Sequence, residues 1–240
     1  MDKHNRVLNQ FHYTASAADA VTHHMLWIRA TLKEAGIGGE IFVGRNQAPA
    51  SYGILPFEKT QVNKGEGLLL HHSHGNPLLA ALLRTHTRKA LVYHNITPEV
   101  FFPHDPHLAA FSYEGRKQIA DYSSHVERAF GVSRFNCREL ELAGFSSPEV
   151  FPLLDLSPTA ERVRSAPLPT PSKTHDLIFV GKQTPHKNQA LLIRALFYLQ
   201  AASPGKYRLL LVGRGDPLYS EYLRLLAKKL GLAEQVLPAL

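Results

Sequence analysis

A chain of 240 residues, 44% apolar and 20% charged, is long enough for one large or two small domains and too apolar for a disordered polymer. Its formal net charge of +7 is unevenly placed: residues 1–174 hold 18 Lys and Arg against 16 Asp and Glu, a net +2, and residues 175–240 hold 9 against 4, a net +5. A basic second part suits an anionic partner (nucleotide diphosphate, membrane surface or nucleic acid), and charge alone does not choose among them. No run of about 18 apolar residues occurs, so no transmembrane helix is expected. Residues 1–6 lead into a strand-like run and not into a signal-peptide core. Cys137 is the sole cysteine, which rules out an internal disulfide and fits a cytoplasmic, reducing setting. It reads as a small buried hydrophobe ahead of a nucleophile.

In chain order, residues 7–13 read as a strand. Residues 17–35 read as a helix, with Val21, Met25, Ile28 and Leu32 on one stripe and Gly36, Gly38 and Gly39 ending it. Residues 40–43 form a short strand, 44–66 are loop-rich, 68–71 a strand, 78–84 a helix and 90–94 a strand stopped by Asn95 and Pro98. Residues 116–131 and 136–143 read as helices, and 149–154 as a last short strand. Residues 155–175 change character: Pro158, Pro167, Pro169 and Pro171 sit among Ser and Thr, the composition of an interdomain linker. The pattern then restarts, with strands at 176–180 and 207–212, helices at 189–201 and 219–230, and a further apolar run from Val236. Alternating strands and helices, apolar throughout, predict an α/β protein of two Rossmann-like parallel-sheet domains. They are expected at 1–156 and 175–240, with a linker at 157–174. The second is expected to be incomplete, because a doubly wound domain usually needs five or six strands.

The segment with most chemistry is Phe179-Val180-Gly181-Lys182-Gln183-Thr184-Pro185-His186-Lys187-Asn188-Gln189. A strand end, a glycine, two lysines and a helix start together suit a phosphate, because a helix N-terminus offers unpaired N–H groups and partial positive charge. Lys182 and Lys187 add two full charges, the neutralisation that a leaving diphosphate needs. An ordinary solvated loop has the same composition, and the pattern is not a Walker loop. Gly213 and Gly215 follow the next strand, where they allow close approach of a ligand or simply a tight turn. In the first half, His71-His72-Ser73-His74-Gly75 follows a strand. Its spacing matches no H-E-x-x-H pattern and lacks cysteine partners, so no metal is assigned; its strand-end position suits a cleft role for one or two imidazoles, His74 among them. Tyr93-His94-Asn95-Ile96-Thr97-Pro98 also ends a strand. There His94 and Asn95 project into a cleft, or His94 caps the strand and points to solvent. Residues 11–19 read as a loop whose Thr14, Ser16 and Asp19 cap the following helix or line a cleft.

Taken together, these segments resemble glycosyltransferase family 4. The pieces that carry the resemblance are QFHYTASAADAVTHHMLWIRATLKEAG, LLLHHSHGNPLL, ALVYHNITPEVFF, FVGKQTPHKNQALLIRAL and LLLVGRGDP, in the family's order. VYHNITP and VGKQTPHKNQ are similar to a bacterial branch that builds surface polysaccharides. The resemblance implies a GT-B fold, with the acceptor held by the N-terminal domain and the nucleotide sugar by the C-terminal one. It puts Gly181, Lys182, Lys187 and Asn188 on the donor diphosphate; Lys182 stands where Arg is usual, which loses the bidentate fork. It puts His94 on the family's active-site histidine, beside the transferring sugar. Residues 14–18 fall on a loop commonly rich in glycine, here Ala and Ser.

The implied reaction is retaining transfer of a hexosyl group, mannosyl by the branch resemblance, from a GDP- or UDP-linked sugar to a saccharide or lipid-linked acceptor. No separate cofactor or metal is implied, and nucleic acid is not an expected partner. A basic transferase of this kind suits peripheral contact with an anionic membrane at the inner face of the plasma membrane. The family's Glu-x7-Glu motif is not met before Leu240, so the chain reads as a fragment with little activity alone. The alternative is a non-catalytic scaffold that pairs through an exposed sheet edge.

Overall fold

The computed structural model describes residues 6–62, 67–153 and 174–239. The chain divides into two compact units, residues 1–165 and 166–240. The linker expected at 157–174 lies, up to Lys173, outside the described residues.

The first unit runs β1 (Leu8–Ser16), α1 (Ala20–Glu34), β2 (Ile41–Gln47), β3 (Ile54–Pro56), α2 (Lys59–Val62), β4 (Gly67–His72), α3 (Leu79–Leu83), β5 (Arg88–Tyr93), α4 (Pro106–Tyr122), β6 (Arg128–Gly131), α5 (Arg134–Leu142) and β7 (Glu149–Val150). Its seven described strands form one sheet in the order β3-β2-β1-β4-β5-β6-β7, every pairing parallel. Central strands are buried on both faces because helices cover both. On one face Phe11, Leu68, Leu70, Leu91 and Tyr93 pack with Ile119 and Tyr122 of α4. Elsewhere Ile28 of α1 packs with Leu69 and Val92, and Met25 with Ala15, Ile41 and Val43. The predicted stripe of α1 is therefore its buried face, with Leu32 partly buried against Ile28.

Three expectations are corrected. Residues 116–131 are not one helix: α4 starts at Pro106, behind the cap Asp105, and ends at Tyr122. Arg128–Gly131 is instead a strand that pairs with β5. The stretch lacks a proline, and only its sheet partner reveals the break. The loop-rich 44–66 hides β3, which extends β2 at the sheet edge. Residues 11–19 are mostly strand, since Thr14, Ala15 and Ser16 pair with Arg45, Asn46 and Gln47; the loop is only residues 17–19. Asp19 does cap α1, its carboxylate accepting from the Thr22 backbone N–H at 2.8 Å and from the Thr22 hydroxyl at 2.7 Å.

The second unit runs β8 (His175–Val180), α6 (Gln189–Ala202), β9 (Tyr207–Val212), α7 (Pro217–Lys229) and β10 (Val236–Ala239). Its described strands form a parallel sheet in the order β10-β9-β8. Ile193 and Leu196 of α6, Leu223 and Ala227 of α7 and Leu209 and Leu211 of β9 make its core. Among the described residues no helix is long and apolar enough to cross a membrane.

Two substitutions test this packing by urea denaturation. Asp19→Ala removes the cap of α1 and is expected to lose about 1 kcal/mol. Gly115→Ala puts a Cβ 2.6 Å from the Gly75 nitrogen, pushing α4 off the end of β4, and is expected to lose about 1–3 kcal/mol.

Candidate functional site

The strand order of the first unit reverses between β1 and β4. In open parallel sheets, ligands bind outside the carboxyl ends of strands at such a switch point. The chain concentrates imidazoles there: His12 in β1, His71 and His72 ending β4, His74 just beyond, His94 after β5 and His24 on α1.

Consecutive strand residues point to opposite faces, and this separates the histidines. His72 faces α4, where Nε2–H donates to the Gly115 carbonyl at 2.7 Å and Nδ1 accepts from the Tyr122 hydroxyl at 3.1 Å. Its role is to tie β4 to α4. His71 faces α1 with Gln10. The Gln10 amide nitrogen donates to the Met25 carbonyl at 3.0 Å, so its oxygen is the atom that meets His71 Nε2 at 3.0 Å. His71 therefore carries its proton on Nε2. Its Nδ1 is a lone pair, 3.0 Å from His94 Nε2. With Nε2–H of His94 donating there, His94 Nδ1 is left as a buried atom without a partner.

A second, more open group lies beside this one. His12 Nδ1–H donates to the Thr14 carbonyl at 2.6 Å, which leaves Nε2 to accept from the Ser73 hydroxyl at 2.8 Å. His74 Nδ1–H donates to the Gly75 carbonyl at 3.0 Å, and Nε2 accepts from the Thr14 hydroxyl at 3.0 Å. The His74 ring stacks on Phe111, centroids 4.8 Å apart. Thr14, Ser73 and His74 are partly exposed. With their donors turned inward, the hydroxyl oxygens of Thr14 and Ser73 keep lone pairs for an incoming hydroxyl.

Burial sets the charge of the whole group. Desolvation lowers His12 to about 3 and both His24 and His72 to about 4. It also holds His71 and His94 well below the usual imidazole value, and neighbouring histidines push the same way. At neutral pH these are uncharged groups, each with one N–H and one lone pair. They suit hydrogen bonding to hydroxyls better than salt bridging.

In the second unit, the loops after β8 and β9 run side by side. Gly181 N–H donates to the Val212 carbonyl at 2.9 Å and Gln183 N–H to the Arg214 carbonyl at 3.0 Å. A Cβ on Gly213, whose φ is +130°, would lie 2.4 Å from the Gly181 carbonyl oxygen, and one on Gly215 equally close to Gln183 Cβ. These glycines let the loops touch. After Pro185–Lys187, Asn188 takes a left-handed turn with φ +55° into α6, whose first turn has no side-chain cap. The neighbouring helix α7 is capped by Asp216, which already fills the place an anion would take. Lys182 and Lys187 are exposed. Burial and then the charges of Lys187 and Lys182 lower the pKa of His186 between them, a sign of positive potential at this loop.

Residues 162–238 match the family model described as Glycosyl transferases group 1. Among solved structures, HepE of Anabaena, in complex with UDP and glucose, is 14% identical with a TM-score of 0.61; the match covers 97% of this chain and 68% of that one. A glycosyltransferase of Rickettsia africae is 13% identical with a TM-score of 0.65, covering 98% and 68%. WaaG, a glycosyltransferase of lipopolysaccharide biosynthesis, is 11% identical with a TM-score of 0.60, covering 97% and 69%. No curated protein matches in sequence. The fold is that of GT-B glycosyltransferases. The second unit is the part that matches the group 1 glycosyltransferase model.

The candidate residues fall into distinct roles. Thr14 and His74 meet in the open group, and His94 is 4% exposed, so the solvent-facing reading of its side chain is set aside. Asn95 is exposed, and its side-chain oxygen accepts from the Asn136 side-chain amide at 3.2 Å. Asp19 serves α1. The Ser16 N–H donates to the Thr22 hydroxyl at 3.2 Å, and no role for the Ser16 side chain follows. Gln10, His12, His24 and Ser73 were not among the expected site residues, and His71 was so only as one of the imidazoles of the 71–74 run. Strand alternation puts Gln10, His12 and Thr14 on one face, a signal that was open to reading. Nothing local marks His24.

Neutral burial makes the unit acid-sensitive. The unfolded imidazole titrates near 6.5, and the folded values of His12, His24 and His72 lie at about 3 to 4. The unfolded chain then binds more protons throughout that window. Stability is complete above about pH 6.5 and falls as pH drops towards about 4, by about 1 kcal/mol per histidine at pH 5.5. The urea midpoint is expected to be clearly lower at pH 5.5 than at pH 7.5, with the same slope.

Proposed function

We propose that the protein is a retaining glycosyltransferase that moves a hexosyl group from a GDP- or UDP-linked sugar to a saccharide or lipid-linked acceptor. The observation that carries this reading is the loop at residues 181–188. It joins two exposed lysines, Lys182 and Lys187, to the uncapped N-terminus of α6, inside the segment that matches the family model. A diphosphate there meets backbone N–H groups, the positive end of a helix and two ammonium charges. As the sugar leaves, the growing charge on the phosphate is stabilised without reorganisation of the loop. HepE, described with UDP and glucose, supports a nucleoside diphosphate as the ligand class.

In the first unit, Thr14, Ser73 and His74 supply hydroxyl and imidazole groups suited to saccharide hydroxyls. His94 is the residue proposed to lie next to the transferring sugar, as a neutral hydrogen-bonding group. The mannosyl preference and the surface-polysaccharide role rest on the branch resemblance. The +5 charge of residues 175–240 supports peripheral contact with an anionic membrane.

Isothermal titration of UDP and GDP into the protein tests the reading. The Lys182→Ala/Lys187→Ala variant is expected to bind the preferred nucleotide about tenfold more weakly, as loss of two solvent-exposed charge contacts implies. Lys228→Ala/Lys229→Ala removes the same charge from the last turn of α7 and is expected to bind like the parent. Equal affinity in all three proteins, or no nucleotide binding by any of them, would overturn the assignment of the loop.

A further inference from the structure

The outer face of the second unit is apolar where solvent would meet it. α6 and α7 touch and lie on the same side of the sheet, since Ile193 and Leu196 of one and Leu223 and Ala227 of the other pack with Leu209 and Leu211 of β9. On the side turned away from those contacts, α6 presents Leu191, Ala195 and Tyr198, and α7 presents Leu218, Tyr222 and Leu225. Both sets have the i, i+4, i+7 spacing of a single helical stripe. Their five large side chains are 44% to 83% exposed. α6 is apolar all round, with Arg194 its one charged residue, and a helix of that composition is ordinarily covered on every side. An exposed apolar face of this kind marks an interaction surface.

Charge selects the partner. Arg194, Lys228 and Lys229 are exposed on the same two helices, and the one acid there, Glu221, is held by Arg224 at 2.6 Å. A second copy docked on this face would bring these cations against their own kind, which is repulsive. An anionic surface with an apolar interior meets both the cations and the stripes. We propose that the outward face of α6 and α7 docks on an anionic lipid surface, which rests on the peripheral contact already proposed and gives it a site.

The leucines of the stripes then enter the boundary between headgroups and acyl chains, and the Tyr198 and Tyr222 rings keep their hydroxyls at headgroup level. Arg194, Lys228 and Lys229 meet the lipid phosphates. Each helix connects parallel strands, so both start at the carboxyl end of the sheet. Lys182 and Lys187 lie at that end, before α6, whereas Lys228 and Lys229 lie in the last turn of α7. Docking through the outward stripes therefore does not use the loop at residues 181–188.

The test is co-sedimentation with vesicles of phosphatidylcholine and phosphatidylglycerol in equal parts, with phosphatidylcholine alone for comparison. The parent is expected to bind the anionic vesicles and to be released by salt. Leu218→Gln/Leu225→Gln is expected to partition about tenfold more weakly, because less apolar area leaves water. Leu191→Gln/Tyr198→Gln makes the same change on α6, should the first variant lose the parent's circular dichroism. Ile178→Gln/Val180→Gln is the control. Those side chains are also exposed, but Phe179 between them packs towards the helices, so they point to the other face of the sheet. Its binding is expected to equal the parent's. Failure of the parent to bind anionic vesicles would overturn the site together with the peripheral contact. Unchanged binding in a folded stripe variant would overturn the site alone, and equal binding to phosphatidylcholine would overturn the anionic surface as partner. A dimer in gel filtration that the stripe substitutions dissociate would make a second copy the occupant and overturn the proposal.

Discussion

A fixed amide sets the direction of the hydrogen bonds at the end of the first sheet. The Met25 carbonyl on α1 takes the Gln10 N–H, the Gln10 oxygen takes the His71 N–H, and the His71 lone pair faces His94. Each link is buried, so none can be exchanged for water without loss. The chain of bonds therefore decides which nitrogen of each ring carries a proton. It also couples α1 to the two central strands, so the position of His94 depends on a glutamine two strands away. His72, one residue beyond His71, repeats the device on the other face with Gly115 and Tyr122.

This construction depends on low dielectric. Six imidazoles at one sheet end would repel one another if charged, and burial prevents that by holding them neutral. The open edge of the group, at Thr14, Ser73 and His74, is then a surface of hydroxyls and neutral rings. That chemistry suits an uncharged polyhydroxy ligand. The second unit is built on the opposite basis. Its loop at residues 181–188 exposes full charges and backbone donors, and two glycines bring the adjoining loops together without covering them. One unit thus offers neutral hydrogen bonding and the other offers positive charge.

The helices and strands of the core were legible wherever local pattern and tertiary burial agreed. The α1 stripe of Val21, Met25 and Ile28 is a period-3.6 signal, and the same residues are buried. The strand Tyr207–Val212 was readable to the residue because six residues, largely apolar, lie between turn signals. Legibility failed where pairing partners decided the outcome. Nothing between Tyr122 and Arg128 breaks a helix by itself, and Arg128–Gly131 is a strand only because β5 lies beside it. The edge strand Ile54–Pro56, three residues long and containing proline, has too little pattern to stand out from loop.

The sequence by itself determined the alternation of strands and helices, the two-part organisation, the imidazole-rich strand ends and the Gly-Lys loop before α6. These are properties of short segments, carried by residue type and spacing. Only the tertiary structure decided that His71 and His72 serve opposite faces, that Asp19 belongs to its helix and that His24 joins His71 and His94. The reason is physical. A side chain's burial, protonation and partners depend on what the rest of the chain packs against it, and residues 24, 71 and 94 meet only when a helix and two strands have closed around them.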